Sequence, residues 1–277
     1  MVSIAKNHLV YGWALSRLAR VTAVQAAGFD ITYWEMGTGD PMVVLHGAGG
    51  PNIVPAFVRI SDSARVFYLQ IPGFGTSPPN ESTRDLEELA ETIAGAVAAL
   101  GIDSYSLLGT SFGGATAAWI ATLHPDRIEK LILESPAAFR PGDEPLPNLT
   151  PEEVQWALYA HPERTPQLPP PAPEVVEQQL GFVRRVLAAS DSAELAERLR
   201  GLPVPTMVMF GTRDGLIPPE MGRRYKELIP NCDLVYVYDS AHAIASDRPE
   251  AYADLVSDFL ARGEAHIVNL RSEVIHP

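Results

Sequence analysis

The chain has 277 residues, 46% hydrophobic and 20% charged, with a formal net charge of -13. It is long enough to bury a full core as one large α/β domain, and its acidity argues against sequence-independent nucleic-acid binding or attraction to an anionic membrane. A single cysteine, Cys232, rules out an internal disulfide and leans the expectation toward a cytoplasmic protein.

In chain order, Lys6 and the apolar run Leu9 to Leu15 have the outline of a short signal peptide. Arg17 and Arg20 interrupt it and no small-residue cleavage site follows, so the segment reads as an amphipathic helix lying on the domain. No stretch approaches the roughly 18 apolar residues of a membrane span. Strands are expected near 22–26, 30–36, 42–46, 65–69, 105–109, 130–134, 206–210 and 234–238, and helices near 54–62, 84–100, 112–124, 219–228 and 249–261. This alternation specifies a mostly parallel eight-stranded sheet with helices on both faces.

Five strand ends carry the informative residues. The run Met42 to Leu45 leads into His46-Gly47-Ala48-Gly49-Gly50. The fourth strand leads into Ile71-Pro72-Gly73-Phe74-Gly75-Thr76-Ser77, with Gln70 before it. Tyr105 to Leu108 leads into Gly109-Thr110-Ser111-Phe112-Gly113 and then an alanine-rich helix. That order of strand, G-x-S-x-G and helix describes a nucleophile elbow, a strained turn that lifts a serine hydroxyl above the sheet. Thr206 to Phe210 leads to Asp214, and Leu234 to Tyr238 leads to His242. Loops at the carboxyl ends of parallel strands are where an open α/β sheet assembles its site.

The order Ser, Asp, His and these motifs resemble the α/β-hydrolase superfamily, from about Phe29 to Leu260. The resemblance implies antiparallel first strands, a Ser111-His242-Asp214 triad, and an oxyanion hole made by the N–H groups of Phe112 and Ala48. The segment 136–205, proline-crowded up to Pro173 and then helical from Glu174 to Leu199, falls where related hydrolases carry a cap. The chain is therefore read as one domain over 1–277 with a cap insertion at 136–205. Gln70 stands near where the family usually has an acidic residue, and no catalytic role is assigned to it.

Two alternatives stay open for the site. Some hydrolases of this fold carry the triad acid after the sixth strand, where this chain has Glu134, although Asp214 matches the commoner position. Glu134 is otherwise expected to order the loop at the cap entrance. Phe139, Trp156, Leu158 and Tyr159 are candidates to line an apolar pocket, and Arg140 to hold a substrate carboxylate; packing and a solvated arginine are the plainer roles for them.

The implied reaction is hydrolysis of a carboxylic ester through an acyl-enzyme. The expectation includes no metal or cofactor, a small-molecule substrate, and no nucleic-acid or membrane partner. A rival is a carbon-carbon bond hydrolase of aromatic ring-cleavage products, in which asparagine usually precedes the serine and tryptophan tends to follow the histidine. This chain has Thr110 and Ala243 there. Lactone or amide hydrolysis and a noncatalytic binding role are the remaining alternatives.

Overall fold

The computed structural model describes residues 19–75, 77–139, 149–164, 172–263 and 274–275. The expected N-terminal helix and Arg140 lie outside the described residues.

The strands are β1 (Arg20–Ala26), β2 (Phe29–Met36), β3 (Pro41–Leu45), β4 (Arg65–Leu69), β5 (Tyr105–Thr110), β6 (Ile128–Glu134), β7 (Thr206–Gly211), β8 (Cys232–Val237) and β9 (Val274–Ile275). They form one sheet in the order β1-β2-β4-β3-β5-β6-β7-β8-β9. The first hairpin is antiparallel and turns at Ala27 and Gly28, whose φ values of 46° and 83° suit a two-residue turn with both central residues left-handed. β2 pairs antiparallel with β4, and β3 to β8 then run parallel. Eight strands agree with the expected sheet. The two-residue β9 is an addition, pairing antiparallel with β8 at the far edge.

The inner strands are near-continuous apolar runs because both faces are covered. Alternation along each strand divides them: Val43, Leu45, Phe67, Leu107, Leu131 and Val208 belong to one core cluster, while Met42, Val44, Tyr68, Leu108, Ile132 and Met207 belong to the other. The first face is covered by α2 (Leu86–Ala99), α3 (Phe112–Leu123), α6 (Ser192–Arg200) and α7 (Met221–Leu228). The second face is covered by α1 (Pro55–Ile60), α8 (Ile244–Asp247) and α9 (Pro249–Arg262).

Between β6 and β7 the chain forms α4 (Pro151–Leu158), α5 (Pro173–Ala189) and then α6. Periodicity does not mark α4, yet Thr150 and Glu153 form a capping box around Pro151 at the first turn. That Thr-x-x-Glu spacing with proline inside the start is a helix signal readable in advance. The stretch from Glu174 to Leu199, read as one or two helices, is two: it breaks at Ser190, and Asp191 caps α6 by accepting from the N–H groups of Ala193 and Glu194. Helix α5 is anchored by Arg185, which donates to the carbonyls of Asn80 and Thr83, and by Phe182, whose ring lies 6.0 Å from Phe74 and 5.9 Å from Phe112.

Candidate active site

Ser111, Asp214 and His242 follow the carboxyl ends of β5, β7 and β8, so the sheet topology brings three distant segments to one edge. At Ser111 the backbone has φ 53° and ψ -112°, a conformation sparsely populated by residues with a side chain. The turn is held by its neighbours: the Ser111 N–H donates to the Glu134 carbonyl at 2.8 Å, and the Ser111 carbonyl accepts from Ala115 and Ala137. A methyl group on Gly113 would lie 2.5 Å from the carbonyl oxygens of Leu45 and His46, so the helix start can approach β3 only as glycine.

The glycine-rich loop after β3 passes directly beside the elbow. A Cβ on Gly47 would stand 3.3 Å from the Ser111 Cβ. The Gly50 N–H closes a turn onto the Gly47 carbonyl at 3.1 Å, which leaves the Ala48 N–H out of the turn's own bond. Phe112 is the first residue of α3, so its N–H has no intrahelical acceptor. The two amides implied as oxyanion donors thus belong to adjoining segments.

His46 fixes that loop. Its Nδ1 lies 2.7 Å from the Gly47 carbonyl, and its Nε2 accepts from the Ile71 N–H at 3.0 Å, which requires a neutral ring with the proton on Nδ1. Burial lowers its pKa from 6.5 to about 4, against a smaller raising effect of the Gly47 hydrogen bond. Because the folded value is the lower one, this stability is complete above pH 6.5 and is lost as the unfolded chain takes up a proton between pH 6.5 and about 4. The unfolding free energy of the native protein should lose about 3 kcal/mol relative to His46→Gln across that window. Parallel urea-unfolding curves for the two proteins at pH 7 and pH 4.5 would refute this.

Asp214 and His242 are paired and buried. His242 Nδ1 lies 2.9 Å from Asp214 Oδ2 and 3.1 Å from Oδ1, and Oδ1 also accepts from the N–H groups of Leu216 and Ile217 at 2.9 Å each. The carboxylate therefore fixes the imidazole with Nε2 free to face a nucleophile. Desolvation is the largest influence on His242 and lowers its pKa, but the charge and hydrogen bond of Asp214 together with the charge of Glu134 outweigh it, so the net direction is upward.

Glu134 ends β6, two residues before the insertion, and its side chain turns into the core. It is fully buried, with Oε2 accepting from the Thr110 hydroxyl at 2.6 Å and the Tyr252 hydroxyl at 3.1 Å, and Oε1 accepting from the Ala245 N–H at 3.2 Å. It joins the residue before Ser111 to the helix after His242. Burial raises its pKa, partly offset by those three donors.

The candidate substrate contacts separate. Phe139 is buried, with its ring 5.0 Å from that of Tyr225, and so contributes to packing. Trp156 is 55% exposed, so its indole stands largely in solvent. Tyr159 is half-buried, and its pKa is raised by burial and by Asp247. Gln70 donates to the Ser77 hydroxyl at 2.7 Å and so closes the turn after β4. Among the described residues there is no group of His, Cys, Asp or Glu that could hold a metal ion, and no helix is long and apolar enough to cross a membrane.

A doubly covered parallel sheet with a strained serine turn and an Asp-His pair at its strand ends defines a hydrolase of the α/β class. The sequence profile of the alpha/beta hydrolase family matches residues 42–255, and the chain belongs to that family. It is 28% identical over 276 residues to a 2-hydroxymuconate semialdehyde hydrolase of Pseudomonas putida, covering 87% of this chain and 94% of that one. It is 27% identical over 253 residues to a pimeloyl-[acyl-carrier protein] methyl ester esterase of Yersinia enterocolitica, covering 82% and 96%. A solved meta-cleavage product hydrolase of Pseudomonas fluorescens IP01 superposes with a TM-score of 0.72 at 20% identity, covering 87% of this chain and 97% of that one.

Proposed function

We propose that the protein is a serine hydrolase that cleaves carboxylic esters of small or medium apolar substrates. The observation that carries this reading is the buried Asp214-His242 pair, 2.9 Å apart, converging with the strained Ser111 turn on one edge of the sheet. Ser111 attacks the carbonyl carbon while His242 Nε2 takes its proton, and Asp214 holds the tautomer and stabilises the imidazolium. The N–H groups of Ala48 and Phe112 receive the oxyanion. His242 then protonates the leaving alcohol, and the acyl-enzyme is released by a water that His242 activates. The segment 136–205 acts as the cap that covers this centre.

Cleavage of a carbon-carbon bond in a ring-cleavage product is the second reading, favoured by the likeness to the semialdehyde hydrolase. Two residues weigh against it. Thr110 stands where those enzymes usually have asparagine, and its hydroxyl is committed to Glu134. Ala243 stands where tryptophan tends to follow the histidine, and its N–H donates to the Leu158 carbonyl at 2.8 Å.

The test is turnover of p-nitrophenyl esters from acetate to dodecanoate beside a 2-hydroxy-6-oxo-dienoate. Ester hydrolysis that disappears in a folded Ser111→Ala variant, with a maximum at short or medium chains, is expected. Faster turnover of the dienoate than of every ester would replace this reading with the second one.

A further inference from the structure

His242 is held from both sides by groups outside the triad. The Ala241 N–H donates to Asp247 Oδ2 at 2.8 Å, and the Ala243 N–H donates to the Leu158 carbonyl at 2.8 Å. The same Asp247 oxygen accepts from the Ala160 N–H at 2.9 Å, and the His161 N–H also bonds to this carboxylate. On the acid side, the Gly215 N–H donates to the Ala157 carbonyl at 3.2 Å. A Cβ at Gly215 would come within 2.7 Å of the Ala157 Cα, so the approach is close as well as bonded. Residues 157–161, at the end of α4 in the insertion, therefore form a strap across the loops that follow both Asp214 and His242. The strap is pinned further by His161, whose Nε2 lies 2.7 Å from Asp239 Oδ2.

On the serine-hydrolase reading above, we infer that Asp247 is a positioning residue: its carboxylate fastens the base loop to the strap and thereby sets His242 against Asp214 and Ser111. Asp247 reaches none of the reacting atoms. One oxygen receives an N–H from the base loop and another from the strap, and the carboxylate also takes the His161 N–H, so its loss frees three amides at once. A general base displaced by a fraction of an ångström loses much of its effect even when the fold survives. Asparagine in the same place keeps an oxygen acceptor for the two amides, and alanine keeps none.

The experiment compares the native protein with Asp247→Ala and Asp247→Asn, each checked for folding by thermal unfolding. Ser111 reactivity is read as the rate of labelling by a small fluorophosphonate, and the His242 Nδ1 proton is followed by its downfield proton resonance. Asp247→Ala should label at least about tenfold more slowly per folded molecule and broaden that resonance, with Asp247→Asn recovering most of both. A labelling rate and resonance in Asp247→Ala equal to those of the native protein would overturn the inference, as would an Asn variant no better than Ala. If Asp247→Ala does not fold, Ala160→Pro removes one of the strap's two amide bonds to Asp247 while leaving the bond from Ala241. Tyr159, with φ -126° and ψ 132°, already has the extended backbone that a following proline requires. Slower labelling is again expected there, and native behaviour again refutes it. A native protein that resists the fluorophosphonate would count against the serine-hydrolase reading instead, and the resonance would still decide whether Asp247 positions His242.

Discussion

Asp214→Asn should lower kcat by about four orders of magnitude while leaving KM and stability close to native. Asp214 Oδ1 accepts from two backbone amides, Leu216 and Ile217, so the asparagine oxygen stays with them and its NH2 group faces His242. A donor there forces Nδ1 to accept and moves the imidazole proton to Nε2, where the ring can no longer take a proton from Ser111. The companion variant Glu134→Gln should cost only a few-fold in kcat, because all three hydrogen bonds to that carboxyl come from groups other than the imidazole. Steady-state kinetics on the best p-nitrophenyl ester check both. A four-decade loss in Glu134→Gln together with a mild effect in Asp214→Asn would transfer the role of triad acid to Glu134.

The pH profile separates the two carboxylates a second way. As the proposed base His242 works only when neutral, and its pKa is raised, so kcat/KM should decline on the acid side through a midpoint above the ordinary imidazole value of 6.5. Glu134 contributes to that upward shift by its charge. Removing the charge in Glu134→Gln should move the acid limb to lower pH, with the catalytic plateau retained.

The parts of this site that the sequence disclosed are those with local signatures. A β-branched or apolar run followed by a glycine-rich or acidic loop marks a strand end, and Ala48, Ser111, Asp214 and His242 each sit in such a loop. The face assignment also follows locally, since alternation along β3 and β5 sends Val43 and Leu107 to one core and Met42 and Leu108 to the other. What escaped depends on distant partners. The bond between Ala160 and Asp247 spans 87 residues and that between Ala245 and Glu134 spans 111, so no window of sequence contains both ends. The aromatic residues of the insertion share this difficulty: Phe139 and Trp156 look alike as apolar side chains, and only the path of the chain sends one into the core and the other into solvent.

Glu134→Ala should reduce the unfolding free energy by about 3 to 5 kcal/mol, the largest stability loss expected from a single change at this site. The carboxyl collects the Thr110 hydroxyl, the Tyr252 hydroxyl and the Ala245 N–H in a fully buried place, and alanine leaves all three donors without an acceptor as well as opening a void. Glu134→Gln should cost less. Its oxygen can keep Thr110 and Tyr252 at the Oε2 position, while its NH2 group meets the Ala245 N–H donor to donor and loses one bond. The ordering native, Gln, Ala in urea-unfolding free energy therefore tests whether Glu134 acts as an acceptor hub, and an Ala variant as stable as the Gln variant would contradict it. The same three bonds give the stability loss a catalytic consequence. Thr110 precedes Ser111, Ala245 follows His242 by three residues, and the Ser111 N–H donates to the Glu134 carbonyl at 2.8 Å. A residue that holds the proposed nucleophile and base to one strand end cannot be removed without letting them move relative to each other. The Ala variant should accordingly lose kcat even at temperatures where it remains folded, with KM changing much less.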